Sequence, residues 1–239
     1  MKFHDEISAY LKGDKFSNAL QVKIAARGKS IPLRMDYIEG LVQGKKIIHL
    51  GCADHIPLIK QKIQKNTWFH KRLVECTNKC LGIDISREGI DYIQKELGYQ
   101  DVIQCDILAD EIPPQVKECH WDFIIMGEIV EHIDNPVEFL QQSKLRYAQF
   151  IDKIIISVPN AFRMENFKYV FRDLELINSD HRYWFTPYTL AKVAARAGLT
   201  IENFQFCQGH KIPRHYIISK FLAKKYPAFR DTLVMVLKF

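Results

Sequence analysis

No stretch of this 239-residue chain is apolar for long enough to cross a bilayer, and the first residues, MKFHDEISAY, carry charges where a secretory leader needs an apolar core. Both absences lead to the expectation of a cytoplasmic protein. Internal repeats, linkers and low-complexity tracts are missing too. The expectation is therefore one domain over 1–239, made of N-terminal helices (1–44), a core (45–208) and a basic insertion (209–231) before the last strand. Cysteine pairs at ligand spacing are also lacking: Cys76 and Cys80 lie four apart with no second pair, and Cys52 and Cys105 fall at strand ends. The six cysteines read as reduced thiols, neither a disulfide framework nor a zinc site. An apolar content of 47% with 12% aromatics is that of a globular protein and excludes a disordered chain.

Acid is scarce in one place. From Gly209 to Phe239 there are seven bases (Lys211, Arg214, Lys220, Lys224, Lys225, Arg230, Lys238) against the single acid Asp231. This segment holds the whole formal charge of +6, since the rest has 27 bases and 27 acids. A neutral body offers no basic stripe for a nucleic acid and leaves any electrostatic partner to the C-terminal piece. Lys211, Arg214 and the nearby lysines are expected to attract an anionic acceptor, such as a nucleotide-sugar or lipid-linked pyrophosphate, or the anionic inner membrane surface holding it. Within that piece His215–Phe229 reads as a short helix. Its apolar Tyr216, Ile217, Phe221 and Leu222 are expected against the protein, with the lysines in solvent.

What is present is organised around Lys45–Ser86. The apolar run Ile47-Ile48-His49-Leu50 stops at Gly51, where the chain can turn without a Cβ penalty, and a second run ends in Gly82-Ile83-Asp84. A Gly turn after one strand and a carboxylate closing the next suit an adenosine-containing cofactor beyond the carboxyl ends of the strands. The pattern G-x-G-x-x-G of a dinucleotide site is absent: the turn Gly51-Cys52-Ala53-Asp54-His55 has one glycine, and Asp84 comes too late in the chain. That favours a cofactor with a ribose and an amino acid but no phosphate.

The remaining chain alternates strands and helices. Apolar positions at helical spacing (Ile7, Tyr10, Leu11, then Met35, Ile38, Leu41, Val42) predict helices ahead of the first strand, Lys46–Leu50. A helical stretch from Pro57 to Lys79, broken near Asn66-Thr67, precedes the second strand, Cys80–Asp84. Ser86 caps a helix ending before Gly98. Strands are predicted at 101–104, 121–126, 153–158, 199–206 and 232–238, with helices from Pro136 to Tyr147 and from Pro187 to Ala197. Such alternation implies an α/β doubly wound, mostly parallel seven-stranded sheet with helices on both faces.

Several motifs carry a family resemblance. The Gly51 turn, Asp84, Asp106 after the third strand, WDFIIMGEIVEH, SVPNAFR and SDHRYWFTPYTLAKVAARAGL together resemble the class I S-adenosylmethionine-dependent methyltransferases. The form RMDYIEGLVQGKKIIHLGCADH, with TWFHKRL and PNAF, is most similar to bacterial enzymes that methylate sugars and polysaccharides. The resemblance implies a Rossmann-like domain that binds S-adenosylmethionine through Gly51, Cys52, Ala53, Asp84, Ile85, Asp106, Ile107, Gly127 and Glu128. Asp84 would meet the ribose and Asp106 the adenine. Ala53 and His55 depart from the family's second and third glycines.

Glu128, Glu131 and His132 form the pattern E-x-x-E-H. If the turn after Met126 becomes helical, these side chains share a face, and two crowded carboxylates with an imidazole suit a divalent cation such as Mg²⁺ or Mn²⁺. The pattern looks like that of methyltransferases acting on quinone-precursor phenols and on the terminal ribose of small RNAs. In the latter a distal histidine completes the metal site, and the matching candidate is His181. The competing expectation is that Glu128 meets the methionine end of the cofactor while Glu131 and His132 pair structurally, with His132 or His181 as the catalytic base. The overall expectation is an O-methyltransferase acting on a small hydroxylated acceptor, a sugar or glycan precursor. The alternatives are a small-RNA terminal ribose 2′-O-methyltransferase and a non-catalytic cofactor-binding module.

Overall fold

The β-branched runs become strands where their pattern places them. The computed structural model describes residues 5–24, 30–213 and 215–239. Its seven strands are β1 (Lys46–Leu50), β2 (Lys79–Asp84), β3 (Val102–Gln104), β4 (Trp121–Gly127), β5 (Ile151–Pro159), β6 (Thr200–Cys207) and β7 (Thr232–Lys238). They lie in one mostly parallel sheet of order β3-β2-β1-β4-β5-β7-β6, an α/β Rossmann-like arrangement. β1 pairs in parallel with β2 and with β4, β2 pairs in parallel with β3, and β6 pairs antiparallel with β7. Because β1 has β2 on one side and β4 on the other, the strand order reverses at its carboxyl end, where α/β sheets bind ligands.

Ten helices accompany the strands among the described residues: α1 (Asp5–Lys12), α2 (Arg34–Val42), α3 (Ile56–Gln64), α4 (Phe69–Cys76), α5 (Arg87–Lys95), α6 (Pro114–Lys117), α7 (Pro136–Tyr147), α8 (Met164–Val170), α9 (Pro187–Arg196) and α10 (Ile217–Lys225). The break between α3 and α4 falls at Asn66, whose φ of +52° ends the helix. Ser86 caps α5 by accepting from the Gly89 amide at 3.0 Å, and Thr186 forms a capping box with Thr189 at the start of α9. The short α6 and α8 have no counterpart in the sequence reading. α8 buries none of its residues, so no apolar periodicity announces it.

The chain falls into two compact units. One comprises Ile38–Gly127 and Gln142–Ile155 with Phe239, and the other Met1–Tyr37, Glu128–Gln141 and Ile156–Lys238. In the first, Ile47, Ile48, Ile83, Ile124 and Ile125 fill the interior beside an unusual polar group: His49 and His70 bring their Nδ1 atoms to 3.2 Å, both buried. Burial alone pushes the His70 imidazole down to about 4, so it is neutral near pH 7. All six cysteines are free thiols, and Cys52, Cys80, Cys105 and Cys207 are buried. Burial raises the thiol pKa of each of these four.

The second unit alters the reading of the basic segment. Arg230 is 1% exposed, and its guanidinium donates to the carbonyls of Ala223, Phe206 and Ser30. One of the seven bases is thus an interior strut with its donors satisfied, not a surface charge. Arg214, expected to attract an anion, lies outside the described residues. α10 also sits opposite to expectation, with Ala223 buried and Ile217, Ile218 and Phe221 turned out to 74%, 75% and 56% exposure. No helix among the described residues is long and apolar enough to cross a membrane.

Candidate active site

In the first unit the residues expected to bind the cofactor gather at the carboxyl ends of β1, β2 and β3. Gly51 turns the chain with φ of +71°, and its amide and that of Cys52 donate back to the Ile83 carbonyl. The Asp84 carboxylate holds this turn in place: one oxygen accepts from the Ala53 amide at 2.9 Å and the other from the Ser86 amide at 2.9 Å. A carboxylate has about four acceptor positions, so two remain open. Burial raises the Asp84 pKa, and the Ser86, Ala53 and Ile85 amides oppose that rise. Beyond it, Ile85 leaves its side chain 71% exposed.

Asp106 lies exposed at the end of β3 and closes a turn, one oxygen accepting from the amides of Leu108 and Ala109. Ile107 and Cys52 are buried side chains, so each can offer a ligand only its backbone. Gly127 ends β4. His55 occupies the N-cap position of α3 without a side-chain capping bond and is exposed.

The two missing glycines have different outcomes. Ala53 is accommodated because the opposing helix gives way: a Cβ built on Gly89 would lie 2.6 Å from the Ala53 Cβ. The glycine that the turn lacks has in effect moved to α5, and a glycine inside an otherwise helical pattern was its signal in the sequence. His55 falls after the turn has ended and is free to keep a Cβ.

The second unit brings together three of the four residues expected to hold a metal. Ligand atoms of Glu131, His132 and His181 lie within 4.8 Å of one another. The His132 and His181 rings meet edge to face with centroids 4.6 Å apart. Glu128 is not in this group, although its charge acts on Glu131 and His181, and it lies outside the helical turn, which corrects the expectation of a shared helical face. Its φ is +57°, its amide donates to the Ser157 carbonyl, and only Val130–His132 forms a turn, of 3₁₀ type. The Glu128 carboxylate accepts from Ser157 Oγ at 3.3 Å, and Arg34 Nη1 lies 3.9 Å from it.

Glu131 is the anomaly. It is fully buried, and neither carboxylate oxygen has a hydrogen-bond partner. Burial, followed by the charge on Glu128, pushes its pKa up to about 9. Burial and then the neighbouring His132 lower the pKa of His181. The loop carrying His181 is pinned to the 3₁₀ turn: the Arg182 amide donates to the Glu131 carbonyl, Arg182 Nη1 to the His132 carbonyl, and the Arg182 side chain pairs with Asp134. The sequence reading gave no role to Arg34, Ser157 or Arg182, although each lies within a stretch that carried the family resemblance. The same unit holds a cavity of about 430 Å³ whose lining includes Tyr10, Phe162 and Tyr188 with Lys15 and Lys192. The cavity lining contains no acidic residue.

A strand-order reversal over a Gly turn and a terminal carboxylate, in an α/β sheet whose last two strands are antiparallel, defines the class I methyltransferase architecture. The chain belongs to the methyltransferase domain family, which matches residues 26–203. It is thereby an S-adenosylmethionine-dependent methyltransferase. Among solved structures, it is similar in fold to the small RNA methyltransferase HEN1, with a TM-score of 0.55 and 16% identity over 93% of this chain. The chain spans only 27% of that protein's length. A second is an S-adenosylmethionine-dependent methyltransferase from Mesorhizobium loti, with a TM-score of 0.51 and 12% identity over 83% of this chain and 92% of the other. No protein of curated function matches the sequence.

Proposed function

We propose that the protein transfers the methyl group of S-adenosylmethionine to a hydroxyl of a small acceptor, a sugar or glycan precursor. The observation that carries this reading is the Glu131–His132–His181 cluster, which pairs imidazole bases with a buried carboxylate. Gly51, Asp84, Ile85 and Asp106 are the residues proposed to hold the cofactor, with the backbones of Cys52, Ala53, Ile107, Gly127 and Glu128. When bound, the cofactor supplies an electrophilic methyl on a good leaving group, so the chain's task is to align the acceptor oxygen and remove its proton.

His132 Nδ1 lies 3.2 Å from the Asp180 carbonyl oxygen, an atom that can only accept. The proton therefore sits on Nδ1, and Nε2 carries the free lone pair that can take the hydroxyl proton. At His181, burial and then His132 lower the pKa, which favours the neutral imidazole as an acceptor.

The donor set also fits a divalent cation. Glu131's two orphaned oxygens and the unpartnered His181 Nδ1 are buried atoms that a cation would satisfy. One carboxylate and two imidazoles suit Mn²⁺ better than Mg²⁺. A cation held by Glu131, His132 and His181 would lower the pKa of an acceptor hydroxyl.

The reading is tested by measuring homocysteine-product release with nucleotide sugars, phenols and short RNAs, before and after treatment with EDTA. Turnover on a nucleotide sugar, lost in His132→Ala, is expected. Loss of that turnover in EDTA and its return with Mn²⁺ would add the cation. Turnover confined to short RNA would replace the sugar reading with ribose methylation, and none with any acceptor would leave a cofactor-binding module.

A further inference from the structure

The large apolar side chains left in water are concentrated in two stretches of the second unit. One is α8 with the residues after it, where Val170, Phe171 and Leu174 are 64%, 90% and 56% exposed. The other is α10, where Ile217, Ile218 and Phe221 face outward. The two stretches meet through ring contacts, Phe167 to Phe229 at 5.9 Å and Tyr226 to Phe229 at 6.0 Å, so they make one continuous surface. None of these residues lines the cavity described above. An amphipathic helix on a protein in water turns its apolar face inward. α10 does the reverse: it buries Ala223, keeps Leu222 half-buried, and presents two isoleucines and a phenylalanine to the outside.

We infer that this surface docks onto an anionic lipid bilayer, with α10 lying in the interfacial plane. Four features on the page specify that occupant. From Gly209 to Arg230 the sequence has no acid, so every formal charge on α10 and its flanking residues is positive. Lys220 and Lys224 stand exposed among the outward apolar residues, the arrangement by which an interfacial helix sinks its side chains while its ammonium groups meet lipid phosphates. Tyr216 and Tyr226 bracket the helix at 50% and 43% exposure, where rings with one polar end belong at a headgroup boundary. The bases of α10 are all lysines, a residue depleted from protein–protein interfaces, which favour arginine. Glu165, Asp173 and Glu175 are the acids of the α8 stretch; Arg163 Nη2 lies 3.9 Å from the Glu165 carboxylate, and Glu175 is engaged by the Trp184 indole at 3.0 Å.

Docking of this kind is independent of which acceptor is methylated. It would set an enzyme whose acceptor is lipid-linked at the surface where that acceptor resides.

Flotation of the full-length chain with vesicles tests the inference. Phosphatidylcholine vesicles containing about 30 mol% phosphatidylglycerol are expected to carry the protein at low salt, and pure phosphatidylcholine to carry at least about tenfold less. About 0.5 M salt should reduce the bound fraction to near the neutral-vesicle level. The triple substitution Ile217→Ser, Ile218→Ser, Phe221→Ser removes exposed groups only, so the folded state is retained, and binding to anionic vesicles should fall at least about tenfold. Lys220→Gln with Lys224→Gln should weaken binding and flatten its salt dependence. Equal partitioning onto neutral and anionic vesicles would overturn the inference, as would no partitioning at all. So would light scattering that shows a self-associated protein made monomeric by the serine triple while vesicles bind neither form; the face would then belong to a second copy of the chain.

Discussion

The two units treat a buried carboxylate in opposite ways. At the ends of β1 and β2, Asp84 gives each oxygen to a backbone amide, and those bonds fix the Gly51 turn before any ligand arrives. In the 3₁₀ turn, Glu131 is more deeply buried and has no partner for either oxygen. Both pKa values are raised by burial; at Asp84 three amides oppose the rise, whereas at Glu131 the charge of Glu128 adds to it and only its own amide and Arg34 oppose it. The first arrangement is pre-organised and costs nothing at the moment of binding. The second holds an unmet demand, which a proton or a cation can meet. The same chemical group thus takes on two characters, one carboxylate held by two amides and the other left without a hydrogen-bond partner.

The largest expected effect that sharpens this contrast is at the reactive cluster. His181→Ala should lower kcat by about 10²–10⁴-fold, the usual contribution of a positioned base, with the cofactor's Kd and the thermal midpoint nearly unchanged. Stopped turnover assays beside calorimetric titration separate the two, and a weakened cofactor Kd would erase the division of labour. Next in size is the acid limb of stability in the first unit. The unfolded chain protonates His70 near 6.5, whereas the folded chain resists until about 4. Stability present above pH 6.5 is therefore lost as pH falls toward 4, by roughly 3 kcal/mol. Urea unfolding at pH 7 and at pH 4.5 should show the loss, and His70→Gln should flatten it.

At the pre-organised turn the effects are smaller and fall on affinity. Asp84→Ala removes both the tether on Ala53 and the acceptors for ribose, so S-adenosylmethionine affinity should drop by about 2–3 kcal/mol. Equal affinity of the mutant by calorimetry would show the carboxylate to be a turn fastener alone. Gly89→Ala places a methyl 2.6 Å from the Ala53 Cβ and should cost about 1–3 kcal/mol of stability in urea. The double change Ala53→Gly, Gly89→Ala should recover much of that cost, since it returns the glycine to the turn.

The sheet was legible because its strands are buried on both faces and their apolar runs are unbroken. The runs at 46–50 and 121–126 and the helix at 136–147 appear in the structure within a residue of their pattern. The Glu131–His132–His181 cluster was legible only in part. Spacing alone put Glu128, Glu131 and His132 on one helical face, but Glu128 is left-handed, its amide pairs with the Ser157 carbonyl, and no helical turn includes it. That bond joins residues 29 positions apart in sequence and leaves no local pattern. α10 falls within the segment read as helical, but Ile217, Ile218 and Phe221 point outward, against the rule that apolar faces turn inward. Arg230 shows the reverse error: counted among surface bases, it is held inside by carbonyls from three separate segments.

The buried thiols carry one more consequence. Cys52, Cys80 and Cys105 belong to the first unit and Cys207 to the second, and each is held protonated by its surroundings. A protonated, inaccessible thiol does not react with alkylating agents, so modification must wait for the segment around it to open. The chain therefore contains its own set of clocks. Peptide masses taken over a time course of iodoacetamide exposure would read the opening rate at β1, β2 and β3 separately from that at β6. Comparison with and without S-adenosylmethionine would then time how strongly the cofactor slows each strand, with no probe introduced and no residue changed.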